Sequence, residues 1–270
     1  MNSLKLPLFL KPKYTTHLER VGKNNDGGYI IPSKSIEDTD HLFSFGMYDD
    51  WSFEFDFKKK NPNTKIIVFD KSVNLYFWIK RLVKNFLLFF CFKLKLNIFL
   101  KSFFTFFEYK FFFYKKNCIH IKKFLHSSNE EIRYFNKKDF ISLDSILEKW
   151  ISKSFFLKID IEGAEYRILD DIIKNQKNLN GLIIEFHDCD LMLNYIHKFI
   201  NEIKLDLVHL HVNNFGKINS KQFPSVIELT FSKRIYNKKR LEGDYIFPVN
   251  NLDQPNNFSK EDLKIEFLNE

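Results

Sequence analysis

Three stretches of this chain end in residues able to hold or move a proton. Leu157-Lys158-Ile159-Asp160-Ile161-Glu162-Gly163-Ala164-Glu165 reads as a strand that ends at Asp160, with two more acids and a glycine turn behind it. Glu185-Phe186-His187-Asp188 ends the next apolar run, and His209-Leu210-His211-Val212-Asn213-Asn214 ends a later one. Side chains two apart on a strand share a face, so Glu185 goes with His187 and His209 with His211. Ligands in open α/β sheets bind beyond the carboxyl ends of the strands. Asp160, Glu185, His187, His209 and His211 are therefore expected at one rim. Two kinds of chemistry suit them. A histidine titrating near neutrality serves as a general base, with His187 and His209 as candidates and Asp160 orienting base or acceptor. Mixed carboxylate and imidazole groups also suit a divalent metal. Glu162, Glu185, His211 and Asn213 are the further substrate or metal candidates. The plain alternative is that Glu162 and Glu165 only cap the following helix, where the dipole favours acids.

The first half of the chain holds a second set. His41 to Gly46 reads as a strand ending at glycine, Asp50 to Phe57 as a helix capped by Asp50, and Lys65 to Asp70 as a buried strand. Asp70 lies 24 residues beyond Gly46, close to the ~20 typical of an acid that holds a ribose. Gly46 would let the backbone approach such a nucleoside. No GxGxxG follows the strand, so the turn alone is a weak signal.

These sites need a scaffold, and the patterning supplies one. Strands are expected also at Cys118–Ile121, Gly181–Phe186, Leu207–His211 and Val226–Phe231, the last antiparallel to its neighbour. Helices are expected at Ser142–Leu147, Ala164–Ile173 and Leu191–Ile203. Alternating strands and helices predict an α/β fold: a mostly parallel sheet with helices on both faces. The expected organisation is a lead-in over 1–40 packed on the core, a domain over 41–250, and a polar, loosely attached tail over 251–270. The apolar piece Leu6–Leu10 is broken by prolines, so no signal peptide is expected. Three cysteines without CxxC spacing argue against a disulfide framework or zinc ribbon and point to reducing cytoplasm.

Residues 74–116 interrupt the rhythm with a Phe-rich, Lys-punctuated helical insertion. No apolar run there approaches the ~20 residues of a membrane span. A substrate lid, a self-association surface and an interfacial helix on anionic lipid all fit, as does a hairpin packed on the core. The formal charge of +8 suits anionic partners.

Taken in order, these segments resemble the FkbM-type methyltransferases, in a branch with an Asp26-Gly27-Gly28-Tyr29 lead-in. The Leu157–Glu165 segment is the most specific match. Ser44-Phe45-Gly46 with Ser52-Phe53-Glu54, Phe69-Asp70, Glu185-Phe186-His187, His209-Leu210-His211 with Asn213-Asn214, and Pro224 leading into Val226–Thr230 follow in sequence. The resemblance covers roughly 18–74 and 118–232. It implies a Rossmann-like fold, S-adenosylmethionine as methyl donor and an O-methyl product, with a hydroxyl on a sugar, glycan or related small molecule as acceptor. By position it assigns Gly46, Glu54, Asp70 and Asp160 to the cofactor. The usual Asp-x-Gly loop is replaced by Ser44-Phe45-Gly46-Met47-Tyr48. The competing classes are a metal-dependent hydrolase built on the His/Asp/Glu rim and a non-catalytic basic-aromatic binding module. Nucleic acid is disfavoured, because the Phe run is too continuously apolar for an exposed groove and no RRM-like motif occurs. The expected location is cytoplasmic, at most peripheral to the inner membrane surface.

Overall fold

Apolar strands alternating with helices over residues 41–232 build one seven-stranded sheet in a computed structural model that describes residues 3–127, 136–236, 239–240 and 246–268. The extreme ends of the expected lead-in and tail lie outside the described residues. The strands are β1 (His41–Phe45), β2 (Lys65–Phe69), β3 (Cys118–Ile121), β4 (Phe155–Ile159), β5 (Leu179–Phe186), β6 (Asp206–Val212) and β7 (Ile227–Ser232). Their spatial order is β3-β2-β1-β4-β5-β7-β6. Neighbours from β3 through β5 pair in parallel, and β7 runs antiparallel to both β5 and β6. Strand order reverses between β1 and β4, which makes the gap beyond their carboxyl ends the topological switch point.

Helices cover both faces: α1 (Ser52–Lys60), α2 (Leu75–Phe90), α3 (Leu96–Tyr114), α4 (Leu143–Lys149), α5 (Leu169–Asn175) and α6 (Cys189–Glu202). Alternation along each strand decides which side chain meets which layer. Phe45, Leu157, Ile159, Ile184, Phe186, Leu210 and Leu229 face the core that includes Ile146, Ile172 and Ile196 of α4, α5 and α6. Leu42, Ile66, Val68, Phe156 and Ile183 face Tyr29, Ile31, Phe53 and Phe57 on the other side.

That second face turns polar towards β6. Lys158, Glu185, Glu228, Thr230, His209 and His211 are all buried. Buried polar groups require partners, and two peripheral segments supply them. One is the hairpin of Leu18–Val21 with Tyr29–Pro32. The other is the C-terminal segment, whose expected looseness is not what the structure has. Asp253 and Asn256 are buried, and Ile265–Leu268 pairs in parallel with Leu4–Pro7. Asp253 and Asn256 turn inward to the sheet, while Ser259, Lys260 and Glu261 stay exposed.

Two local expectations shift. The helix expected at Ala164–Ile173 begins as a 3-10 turn, Glu165–Ile168, before α5. Helix α1 starts at Ser52, and Asp50 sits just outside it, accepting from the Ser52 amide at 3.0 Å.

Candidate active site

The site begins where three strand ends are tied together. The Asp160 amide donates to the Phe45 carbonyl at 3.0 Å, and the Gly46 amide to the Phe69 carbonyl at 3.2 Å. The buried Lys158 ammonium donates to the Gly46 carbonyl. Gly46 has φ +77°, and a Cβ built on it would stand 1.6 Å from the Asp160 carbonyl oxygen. Only glycine fits a position with both a left-handed φ and so close a backbone neighbour.

Beyond β4 the chain turns through Glu162 (φ 55°) and Gly163 (φ 95°). The buried Glu165 does not cap the helix as the plain reading expected. Its Oε1 accepts from the Ile161 amide at 3.0 Å and the Gly163 amide at 3.2 Å, which holds the turn from inside. The same oxygen lies 3.1 Å from His187 Nδ1. A carboxylate only accepts, so Nδ1 carries the proton and Nε2 is left to face the rim.

Asp160, Glu185 and His187 come together there, each offering one ligand atom, all within 4.8 Å of one another. His187 Nε2 lies 3.8 Å from Glu185 Oε1 and 3.6 Å from Glu162 Oε2. Tyr29 bridges the two acids, its hydroxyl 3.1 Å from Asp160 Oδ2 and 3.4 Å from Glu185 Oε2. Asn213 donates to Glu185 Oε1 at 2.8 Å. Burial first, then the nearby Asp160 and Glu228 charges, push the Glu185 carboxyl well above its usual value. Burial with Asp160 and Glu185 beside it also raises the Tyr29 phenol, which stays protonated. One phenolic proton serves one acid, so the pair is best satisfied with Glu185 protonated. Burial pulls the His187 imidazole down, but Glu165, Asp160 and Glu162 outweigh it and the net shift is upward.

The remaining sequence candidates are placed otherwise. His209 and His211 do not join this rim, because β7 lies between β5 and β6 and sets them a strand further off. His209 Nε2 is 3.2 Å from the buried Asp253, and His211 lies between Glu228 at 3.4 Å and Asp262 at 3.1 Å. Glu228 stands directly between the two sets, paired in register with Glu185 on one side and His211 on the other. Glu54, expected at the cofactor, is 1 % exposed and accepts from Ser44 Oγ inside the β1–α1 layer. Asp70 has no free acceptor: Oδ2 takes the Met47 and Tyr48 amides at 3.0 and 2.8 Å, and Oδ1 takes the Ser72 amide and hydroxyl at 2.8 and 2.6 Å. It closes the unusual first loop on itself. Glu162 is exposed at the mouth, and Asn213 is buried behind Glu185.

Sequence reasoning passed over Tyr29 and Lys158 as site residues. Both stood inside quoted motifs, and a lysine or tyrosine flanked by apolar residues in a strand was the available signal. Glu228, inside the Val226–Thr230 run, and Asp26, in the lead-in motif, carried the same kind of signal, whereas Asn256, 2.8 Å from Glu228 and 3.3 Å from Asp26 through its Nδ2, carried none. Two cavities of about 670 and 500 Å³ lie between the Tyr48–Ser52 loop and the α2–α3 hairpin. Asp160, Glu185 and His187 line neither.

Sheet order and switch point define a Rossmann-like α/β fold with one antiparallel strand. Within it, residues 104–222 match the family model of the methyltransferase FkbM domain. The resemblance carried by Leu157–Glu165 therefore holds over that range, which includes Asp160, Glu185, His187 and Asn213, whereas β1, β2 and β7 lie outside it. Among solved structures, precorrin-6y C5,15-methyltransferase from Geobacter metallireducens is similar, with 14 % identity over 74 % of this chain and 84 % of that one and a TM-score of 0.38. No curated protein matches the chain.

Proposed function

We propose that this protein is an S-adenosylmethionine-dependent O-methyltransferase acting on a hydroxyl of a sugar, glycan or related small molecule. The observation that carries the reading is the convergence of Asp160, Glu185 and His187 beside the Gly46–Asp160 contact, within the range that matches the methyltransferase model. When bound, the cofactor supplies a methyl group on a sulfonium cation. The acids at the rim, Asp160 and Glu162, suit that cation electrostatically. Asp70 suits a ribose less well as it stands, because its acceptors are all engaged by Met47, Tyr48 and Ser72. Ribose hydroxyls would have to replace the loop amides there.

His187 is the base in this reading. Glu165 holds its Nδ1–H, so Nε2 is placed to take the acceptor's hydroxyl proton. Asp160, steadied by Tyr29, orients the acceptor. Alignment and proton removal are the main demands of an in-line displacement.

The same convergence supports a second reading, in which a divalent cation held by Asp160, Glu185 and His187 lowers the hydroxyl's pKa instead. Metal binding would displace the Glu185 proton. Titration calorimetry with S-adenosylhomocysteine, before and after exhaustive chelation, tests the proposal. Binding under either condition supports the methyltransferase reading; turnover that survives chelation then supports His187 as base, and turnover that needs Mg²⁺ or Mn²⁺ supports the cation. No binding under either condition would discard the methyltransferase reading in favour of a metal-dependent hydrolase or a binding module.

A further inference from the structure

Charge on this chain is segregated. Residues 75–116 hold nine of its basic residues and a single acid, Glu108. That stretch carries a net +8, equal to the whole chain, and the remaining basic and acidic residues cancel. It also holds 13 of the 33 phenylalanines. It folds as the α2–α3 hairpin, whose inner faces are zipped by aromatic pairs: Phe89 stacks on Phe99 at 5.0 Å and Trp78 packs on Phe106 at 5.6 Å. Its buried residues are Trp78, Tyr109 and Phe112 at the root and the small Ser102 midway along α3.

The inner contacts leave a surplus. Ile79, Val83, Phe86 and Phe90 recur at helical spacing along α2 and are all exposed. Phe103 and Phe107 do the same along α3. At the tip Phe92 is 98 % exposed, immediately before Lys93 and Lys95. Apolar stripes of this size on a soluble surface mark an interaction site. A second copy of the chain fits poorly, since it would bring two +8 hairpins together. An anionic lipid surface satisfies both properties at once, with aromatic side chains entering the acyl boundary and lysines meeting the headgroups. The hairpin would lie on such a surface rather than cross it, since no helix among the described residues is long and apolar enough to span.

We propose that the α2–α3 hairpin docks the protein on anionic membranes, with Phe90 and Phe92 entering the bilayer interface and Lys93 and Lys95 on its phosphates. This inference stands independently of the methyl-transfer reading. Co-sedimentation of the full chain with vesicles tests it, using phosphatidylcholine alone and an equal mixture with phosphatidylglycerol, below about 50 mM salt. Binding to the mixed vesicles should be at least about tenfold tighter than to the neutral ones. The exposed pair Phe90→Ser with Phe92→Ser should weaken it at least about tenfold, and Lys93→Gln with Lys95→Gln by about tenfold or more. Circular dichroism checks that both variants fold. Equal or absent binding to the two vesicle types overturns the proposal. So does binding that ignores the phenylalanine pair, which would be adsorption by charge alone. A wild-type dimer in sedimentation equilibrium that the phenylalanine pair disperses would assign the surface to a second copy instead.

Discussion

Gly46 and Asp160 touch at the point where the sheet reverses its strand order: the space a Gly46 side chain would occupy is filled by the Asp160 carbonyl, 1.6 Å from the ideal Cβ position. The strand-end glycine and the rim acid are thus one structural unit. Gly46→Ala should lose about 1–3 kcal/mol from the backbone conformation alone. In a domain of this size each kcal/mol lowers the melting temperature by about 2–4 °C. Thermal unfolding with wild-type stability for the variant would mean that the strand ends are not held as described.

Asp70 is expected to serve its own loop before it serves any ligand. Asp70→Ala leaves the Met47 and Tyr48 amides without their acceptor, at a cost of about 1–3 kcal/mol. Denaturant midpoints and S-adenosylhomocysteine affinity, measured together, separate the two roles. Lost stability with retained affinity makes Asp70 a loop anchor, and lost affinity at unchanged stability makes it a ligand contact.

Tyr29→Phe removes the hydroxyl between Asp160 and Glu185 while keeping the ring against Phe53, 5.6 Å away. The expected loss is about 0.5–1.5 kcal/mol of stability, with slower methyl transfer because Asp160 is no longer steadied. Replacing His187 by Ala should slow turnover by about 10²–10⁴. Unchanged turnover in His187→Ala would remove it as the base.

His211 makes stability depend on pH. Burial opposes its charge, but Asp262 and Glu228 outweigh burial and hold the imidazole well above its usual value. A raised folded-state pKa contributes stability that is fully present below the unfolded value, about 6.5, and lost as pH rises through the folded one. Urea midpoints should therefore fall as pH rises above about 6.5. In His211→Asn that slope should flatten, and an identical slope in both proteins would assign the dependence to other groups.

The candidate site was half legible before any fold was seen. Asp160, Glu185 and His187 end strands that announce themselves by local apolar runs, and parallel neighbours deliver their ends to one edge. Asp70 was visible as a strand-end acid, but its engagement with Met47 and Tyr48 depends on how a loop without the usual glycines folds back.

What the sequence determined by itself is whatever repeats over a few residues: the strands, most of the helices, and the segregation of Phe and Lys into residues 74–116. The tertiary structure decided what depends on pairing across long separations. β7 inserts between β5 and β6, so Glu228 pairs with Glu185 and His211 and keeps the later histidines off the rim. The polar tail folds back so that Asp253 meets His209 and Asn256 meets Glu228. Side-chain periodicity records which face of a strand is buried, but not which distant segment covers it; that is set by topology and by the need of each buried polar group for a partner.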